Sequence, residues 1–488
     1  MKRFKTLVII GLLLSFISCD VLEDELEENP KSDLSTDFLE SEAGLQTLVN
    51  STHEPIRSQF RSLYFLLNEI QADYSFGRGS TQPIGSFKGL DVTNQLRTAT
   101  QWEVFYQSIR NANLAIESVS ESEIIDESQK RAWVAEARFM RAFHYYHLVR
   151  HFGPVPLYLD FEEQERGERG RDPVEDVFNA IIADLEVGEQ DLPSTPSQMG
   201  RPTKWAAKAL LAEVYLTIEE WGPAKEKAKE VMDSGEFGLV QVSEVGDFEN
   251  LYGAEVNGSI EEIFYIKWNR DDGWGWPLNL LWEDTIYSPF GNFVIFERPG
   301  PFFDNWDNDD LRKEWSIFTE FESRTTGEIE QLPSTTPILT RKFRDPAASC
   351  RTCHANDYPF LRYADVLLIF AEASNEFENG PSQLAVESLN QVRRRAYGFP
   401  SDSPSSVDFD KNDFTVDSFR DTVIQERAFE FYMEGSRWFD LIRTGMVEEK
   451  VLENLGIVVE EIALLWPIPQ QEIDTNPGIS QSDQNPGY

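Results

Sequence analysis

The sequence predicts a mainly α-helical protein in which helix pairs form a scaffold and one long segment forms an irregular, loop-rich lobe. Hydrophobic residues make up 41% of the 488 residues and aromatic residues 12%, which is enough for a large core. Over several long segments apolar residues recur at spacings of three and four, the spacing of one helix face. Between residues 238 and 344 this spacing is lost, and Gly, Pro, Asn, Asp and aromatic residues dominate.

Helical spacing is clearest in segments that follow one another after short turns. Segment 203–220 also carries four alanines at helical spacing, which lets a neighbouring helix pack closely against it. Successive helix pairs are typical of tetratricopeptide-like scaffolds, although this chain shows no regular repeat length. The predicted pairs are 103–119 with 129–151, 174–191 with 203–220, and 362–377 with 383–396.

The region 238–344 is predicted to be the loop-rich lobe, with short strands at 262–267 and 292–296. A second stretch without helical spacing runs from residue 73 to residue 100. Long ordered loops in compact proteins usually carry function, so we expect both stretches to contribute to a binding site. The scaffold is expected to comprise residues 36–237 and 345–488.

The N-terminus has the pattern of a bacterial secretory signal. Three basic residues among the first five precede an apolar run at 7–17, which is too short to span a bilayer. The sequence FISC, which ends at Cys19, is similar to a lipobox, where the cysteine becomes the lipidated first residue. An ordinary signal peptide with an incidental cysteine is the alternative. We expect residues 1–18 to be the signal peptide and residues 19–35 a lipidated, acidic tether, either a flexible linker or a surface-export signal.

The overall charge of the chain is strongly negative. It has 85 Asp and Glu residues against 44 Lys and Arg residues, a formal net charge of −41. Such a charge repels phosphate backbones and anionic lipid surfaces, so we expect no nucleic-acid partner, whereas neutral and cationic ligands remain open. No later segment is apolar enough to cross a membrane, so the lipid is expected to be the only anchor.

The remaining cysteines, Cys350 and Cys353, belong to a C-x-x-C-H motif that ends at His354. The pattern matches c-type haem attachment, but here it stands alone in a polar loop. A structural zinc site would need two more well-placed ligands. In an exported protein we favour a small disulfide between Cys350 and Cys353, and we expect no cofactor.

Motifs of catalytic and metal sites are absent from the sequence. It contains no Ser-His-Asp elbow, no phosphate-binding loop and no H-E-x-x-H pattern. The acidic run 304–310 lacks the spacing of an EF-hand, so a solvated loop is favoured over a calcium site. We therefore predict no catalytic residue and no bound metal.

Charged residues near the C-terminus alternate in sign along helical sequence. Alternation favours mutual neutralisation in ion pairs over the paired carboxylates of an acid–base catalyst. The residues are Glu426, Arg427, Glu430, Arg437, Asp440 and Arg443. Arg362 and Glu372 are expected to pair across the fold as well.

Four motifs occur in order along the chain. They are GRPTKWAAKALLA at 200–212, LRYADVLL followed by AEA at 361–373, an E-R, E, E-G, R-W, D-L and R series at 426–443, and an ending with P-I-P and N-P-G-Y at 467–488. Together they resemble the SusD/RagB family of nutrient-binding outer-membrane lipoproteins. With the N-terminal signal, the resemblance extends over residues 19–488.

The resemblance implies a tetratricopeptide-like scaffold that carries an irregular lobe over residues 238–344. It implies a lipid-anchored protein on the surface of the outer membrane that binds an oligosaccharide or polysaccharide. It further implies delivery of that glycan to a SusC-like TonB-dependent transporter, without catalysis. A peptide-binding member of the same family and a surface glycoside hydrolase remain alternatives. The loop at Cys350 to His354 is outside the family pattern, so we interpret it as an insertion.

Candidate ligand-binding residues are the aromatic and charged residues of the two loop stretches. Aromatic faces cover the C–H patches of sugars, and a few polar groups fix their orientation. For each aromatic residue, local packing under a loop is the alternative. The candidates are Arg270, Trp274, Trp276, Trp282, Tyr287, Trp306, Asp73, Tyr74, Phe76 and Arg78.

Overall fold

The computed structural model describes residues 41–61, 64–270, 295–297, 299–323, 325–335, 337–350 and 353–488. The predicted signal peptide, the predicted lipidation site Cys19 and the acidic tether up to residue 35 lie outside the described residues. They remain predictions.

Helices dominate the described residues. They are α1 (Glu42–Ser51), α2 (Glu54–Arg61), α3 (Tyr64–Ile70), α4 (Val92–Glu121), α5 (Glu127–Phe152), α6 (Phe161–Arg166), α7 (Val174–Asp191), α8 (Lys204–Thr217), α9 (Trp221–Met232), α10 (Glu249–Tyr252), α11 (Pro301–Asp304), α12 (Leu311–Ser316), α13 (Tyr363–Glu378), α14 (Gln383–Ala396), α15 (Val416–Glu430), α16 (Arg437–Arg443), α17 (Val447–Leu455) and α18 (Gln470–Thr475).

The strands are short. They are β1 (Ser75–Gly77), β2 (Glu262–Ile266), β3 (Ile295–Glu297), β4 (Ile317–Phe318), β5 (Glu320–Glu322), β6 (Ile329–Gln331), β7 (Leu339–Thr340) and β8 (Tyr358–Arg362). They form four antiparallel pairs, β1 with β3, β2 with β8, β4 with β7, and β5 with β6. The predicted mainly α fold with a few short strands is confirmed.

The three predicted helix pairs are confirmed. Helix α4 packs on α5, α7 on α8, and α13 on α14. Neighbouring pairs are continuous, because α5 also packs on α7, α8 on α9, and α9 on α13. The four alanines of α8 are buried, which brings its backbone close to the helices on both sides. The scaffold is therefore one stack of helices around a shared core.

The predicted loop 73–100 is partly wrong, because residues 92–100 form the first turns of α4. Asp91 caps this helix by accepting a hydrogen bond from the backbone N–H of Asn94 at 3.0 Å. The first turns bury polar residues, Asn94 and Thr98, and expose apolar ones, Val92 (73% exposed) and Leu96 (65% exposed). This inverted pattern conceals the helical spacing from sequence analysis.

The two predicted strands of the lobe are found at residues 262–266 and 295–297. Residues 292–294 of the second prediction lie outside the described residues. Strand β3 pairs with β1, so that Phe296 lies opposite Phe76. This pairing joins the lobe to the loop that precedes α4, and it brings the two predicted binding stretches together.

Among the described residues, no helix is both long enough and apolar enough to cross a membrane.

Candidate functional site

Three of the predicted ligand-binding residues lie in the interior on and next to β1. Both carboxylate oxygens of Asp73 bind the buried guanidinium of Arg437 at 2.8 Å. Asp73 also accepts a hydrogen bond from the Asn454 amide at 2.8 Å. The Tyr74 hydroxyl donates to Glu69 at 2.5 Å, and Phe76 is buried. Ligand contact by Asp73, Tyr74 and Phe76 is therefore wrong, because their partners within the fold already enclose them.

Trp306 is also buried, with 1% of its surface exposed. Its indole N–H donates to Asp310 at 2.9 Å, and its ring stacks on Phe429 with centroids 4.9 Å apart. The prediction of ligand contact is wrong for this residue as well, since the ring fills the core beneath α15.

Oxygens in and next to the acidic run 304–310 bind the partly buried ammonium of Lys313. The Lys313 ammonium donates to the carbonyl oxygens of Phe303 at 2.9 Å and Trp306 at 2.6 Å, and to the Asn308 side chain at 2.8 Å. Burial lowers the pKa of Lys313. The oxygens of this loop thus bind a side-chain ammonium, and a calcium ion would have to compete with it for them.

The predicted residues Trp274, Trp276, Trp282 and Tyr287 lie within 271–294, outside the described residues. The structure does describe both ends of that segment. Arg270 precedes it, and Ile295 at its far end pairs with Gly77 of β1. Arg78 follows at once and is exposed. The segment that bears the four aromatic candidates therefore follows Arg270 and precedes Ile295, whose strand partner Gly77 is next to Arg78.

Two adjoining cavities, of about 360 and 440 Å³, form a groove on both sides of Trp268. We call this the Trp268 groove. Its shared lining is Met199, Lys267, Trp268 and Asn269. One cavity extends towards the junction of α1 and α2, and the other towards residues 254–257 and 355–357. Among the predicted site residues, Arg270 lines this groove.

The Trp268 groove combines side-chain amides with an exposed apolar side chain. Asn50, Asn257 and Asn269 line it and are exposed, and Met199 is 62% exposed. A side-chain amide has both donors and an acceptor, which suits hydroxyl groups, although the Asn50 oxygen already accepts a hydrogen bond from Arg201. Sequence analysis did not identify these asparagines as candidate site residues, because they come from three distant segments.

Two charged side chains that lead out of the groove, those of Lys267 and Arg270, are held in ion pairs. Arg270 binds Asp345 at 2.7 Å and Glu255 at 2.6 Å. Lys267 binds Glu262 at 2.7 Å and Asp357 at 2.8 Å. These pairs fix the residues that lead into segment 271–294.

Cys350 and Cys353 are joined by a disulfide, with their Cα atoms 5.1 Å apart. His354 follows the disulfide and is buried. Burial outweighs the opposing effect of Asp345 and, together with Arg270, lowers the pKa of His354 to about 4. His354 is therefore neutral at physiological pH.

The predicted ion pairs of the C-terminal helices are confirmed. The predicted pairing of Arg362 with Glu372 is wrong, because Glu372 binds Arg443, which comes from a helix closer to it. Arg427 binds Asp440 at 2.9 Å, and Arg443 binds Asp440 at 2.8 Å and Glu372 at 2.5 Å. All these side chains are buried or nearly so.

Arg362 lies at the centre of a network of buried charges. It donates to Glu261 at 2.8 Å, Glu430 at 2.5 Å and Glu434 at 2.9 Å. Burial alone would raise the pKa of Glu430, but Arg395, Arg362 and other cations bring it well below the ordinary value. Glu430 is thus a permanently ionised partner that ties β8 to α15, which does not suit a general acid.

Within the part of the chain that the structure describes, no group of three or more His, Cys, Asp or Glu residues could hold a metal ion.

Known proteins match this chain in both halves. The model of the SusD family matches residues 302–488. A family model described as "Starch-binding associating with outer membrane" matches residues 24–216. Together the two matches include the scaffold helices on either side of the lobe, except α9.

Relatives extend the similarity over the whole length. SusD-like protein P2 of Formosa agariphila is 29% identical over 525 residues, with 100% of both chains covered. The crystal structure of a SusD superfamily protein from Parabacteroides distasonis has a TM-score of 0.75 and 26% identity, covering 91% of this chain and 98% of that chain. A solved structure described as a laminarin binding SusD-like protein has a TM-score of 0.73 and 23% identity, covering 92% of this chain and 100% of that chain. The chain therefore belongs to the SusD/RagB family.

Proposed function

We propose that this protein captures an oligosaccharide or polysaccharide at the cell surface and delivers it to a SusC-like TonB-dependent transporter without changing it chemically. The observation that carries the proposal is the Trp268 groove, whose exposed amides and apolar Met199 suit a sugar. Sugars present hydroxyl groups beside flat C–H patches, so they are matched by amide groups together with apolar surfaces.

Segment 271–294 supports the same ligand class from the sequence. It carries Trp274, Trp276, Trp282 and Tyr287, and it leads from Arg270 on the groove to the strand beside Arg78. Indole and phenol rings offer stacking surfaces for the C–H patches of a sugar. We propose that these rings and the groove contact one extended glycan.

Two comparisons favour a glycan in particular. One matched family model is described as starch-binding and as associating with the outer membrane. One protein of the same fold is described as laminarin binding. For this chain we propose lipidation at Cys19, surface exposure at the outer membrane, and a TonB-dependent transporter as the partner.

A surface glycoside hydrolase would need two free carboxylates about 5 to 10 Å apart across a cleft. Two carboxylates of the described groove, Glu255 and Asp357, are engaged by Arg270 at 2.6 Å and by Lys267 at 2.8 Å. This engagement supports a binding role without catalysis.

The test uses the soluble protein that lacks residues 1–19. We expect it to bind one class of polysaccharide on a glycan array and in calorimetry, and to release no reducing ends from it. Oligopeptide binding without glycan binding would replace the proposal with a peptide-binding role. Saccharide turnover by the pure protein would replace it with a hydrolase.

A further inference from the structure

The loop that contains the disulfide contacts the Trp268 groove at both of its ends. At one end, Asp345 accepts hydrogen bonds from Arg270, at 2.9 Å from Nε and 2.7 Å from Nη2. At the other end, Asp357 accepts from the backbone N–H of Trp268 at 3.0 Å and from Lys267 at 2.8 Å. Two carboxylates of residues 345–357 therefore hold three of the four residues 267–270.

Contacts within the loop fix the first of these carboxylates. Asp345 also accepts hydrogen bonds from the backbone N–H groups of Ala347 at 3.1 Å and Ala355 at 2.8 Å, which close the base of the loop. The disulfide between Cys350 and Cys353 closes a smaller ring inside it. The carboxylate of Asp345 is therefore oriented before it meets Arg270.

The loop is also fastened to the scaffold. The Asn356 amide donates to the carbonyl oxygens of Tyr252 and Arg344, each at 2.8 Å. Directly after Asp357 the chain enters β8, where Tyr358 pairs with Ile266 at the end of β2. The contacts of Asp357 with Lys267 and Trp268 thus continue the β2–β8 pairing beyond its last rung.

The Asp345 side chain is fully buried where it meets Arg270. A buried carboxylate that binds a guanidinium through two nitrogens gives one fixed geometry, and removal of one partner leaves the other charge uncompensated. On the outer side, Ala355 and Asp357 line the same cavity as Trp268, Asn269 and Arg270. The loop therefore both supports the groove wall and forms part of it.

From these contacts we propose that the cystine loop, described at residues 345–350 and 353–357, is a clamp that positions Trp268 and Arg270 and thereby sets the shape of a sugar-binding subsite. Asp345 and Asp357 are positioning residues, and the disulfide keeps the loop in the conformation that presents Asp345. The loop is then a working part of the binding site of this chain. The ligand class rests on the proposed function, but the clamp itself does not.

The first measurement needs no ligand. Amide hydrogen exchange at residues 266–270 is followed in the wild type, in Asp345→Asn and in the double variant Cys350→Ser with Cys353→Ser. The matched control is Asp184→Asn, which breaks another buried pair, since Asp184 binds Arg141 at 2.7 and 2.8 Å far along the chain in the scaffold. We expect exchange at 266–270 to accelerate by about tenfold or more in both clamp variants, and to stay at the wild-type rate in the control.

The second measurement is calorimetry with the polysaccharide that the wild type selects on the array. The clamp variants are expected to bind about tenfold more weakly, whereas Asp184→Asn keeps the wild-type affinity. If Asp345→Asn does not fold, the double serine variant alone decides, because it leaves every charged residue in place.

Unchanged exchange at 266–270 in the double serine variant, or equal acceleration in Asp184→Asn, would overturn the clamp. A wild type that binds no glycan, combined with accelerated exchange in the clamp variants, would refute the proposed function and leave the clamp standing.

Discussion

Residues 73–76 and residues 267–270 both carry a buried aromatic ring beside charged groups, yet the charged groups lie in opposite environments. Asp73 is buried against Arg437, which is 364 positions away in sequence, and Tyr74 packs in the core. Lys267 and Arg270 are partly exposed in the Trp268 groove, where they form ion pairs with Asp357 and Asp345. The location of the ion-pair partner decides the role of each segment. A partner inside the scaffold makes such a segment structural, and a partner on a surface loop keeps it available to a ligand.

The largest effect is expected at Asp73. Asp73→Ala removes the carboxylate that Arg437 binds and leaves a buried guanidinium without its partner. We expect a loss of about 3–5 kcal/mol in the free energy of unfolding, measured by denaturant titration. The control is Arg78→Ala, a change at the exposed end of the same stretch, for which stability should stay within about 0.5 kcal/mol. Equal stability of the two variants would contradict the assignment of Asp73 to the interior.

A second large effect is expected in the pH dependence of stability. Burial raises the pKa of Glu69, which accepts a hydrogen bond from Tyr74, to about 7. A carboxyl group whose pKa is raised by folding stabilises the fold below its ordinary pKa, and this contribution is lost as the pH rises towards 7. The shift corresponds to about 3 kcal/mol.

The matching variant is Glu69→Gln. Unfolding temperatures between pH 4.5 and pH 8 should depend less on pH in this variant than in the wild type. An identical pH profile would show that Glu69 is not buried as a neutral acid, and it would weaken the contrast between the two segments.

On the ligand side, Trp274→Ala and Trp276→Ala each remove one proposed stacking surface. We expect affinity for the selected polysaccharide to fall about tenfold, because one aromatic contact typically contributes about 1 kcal/mol or more. Thermal unfolding should change little. Wild-type retardation on affinity gels in both variants, and in Trp282→Ala, would exclude segment 271–294 from the site.

The smallest effect is expected at the groove amides. Asn269→Ala removes one exposed amide of the Trp268 groove and should weaken binding by about threefold to tenfold. Asn412→Ala is the matched control, since Asn412 is an exposed asparagine of a loop outside the groove lining. If both variants bind alike, the groove does not contact the glycan.

The scaffold could be predicted because burial leaves a helical pattern in the sequence. The pairs α4–α5, α7–α8 and α13–α14 all bury apolar or small residues at the spacing of one helix face. The first turns of α4 escaped prediction because they bury Asn94 and Thr98 and expose Val92 and Leu96. At that point polar partners replace apolar packing, and the pattern that reports burial is reversed.

The site was harder to predict, because its residues are defined by partners that are distant in sequence. The sequence AspTyr at 73–74 has no local sign that Arg437 and Glu69 will enclose it. The two positioning residues of the clamp are only weakly indicated by the sequence. Asp345 and Asp357 flank the C-x-x-C motif in the sequence, but only the structure connects them to Trp268 and Arg270.

The most direct test of glycan capture is calorimetric titration of the soluble protein lacking residues 1–19 with the polysaccharide that it selects on an array, beside a double variant of Trp274→Ala and Trp276→Ala. The account predicts saturable binding by the wild type, affinity in the double variant that is lower by about 100-fold if the two contacts are independent, and equal unfolding temperatures. Equal affinity of the two proteins would contradict it.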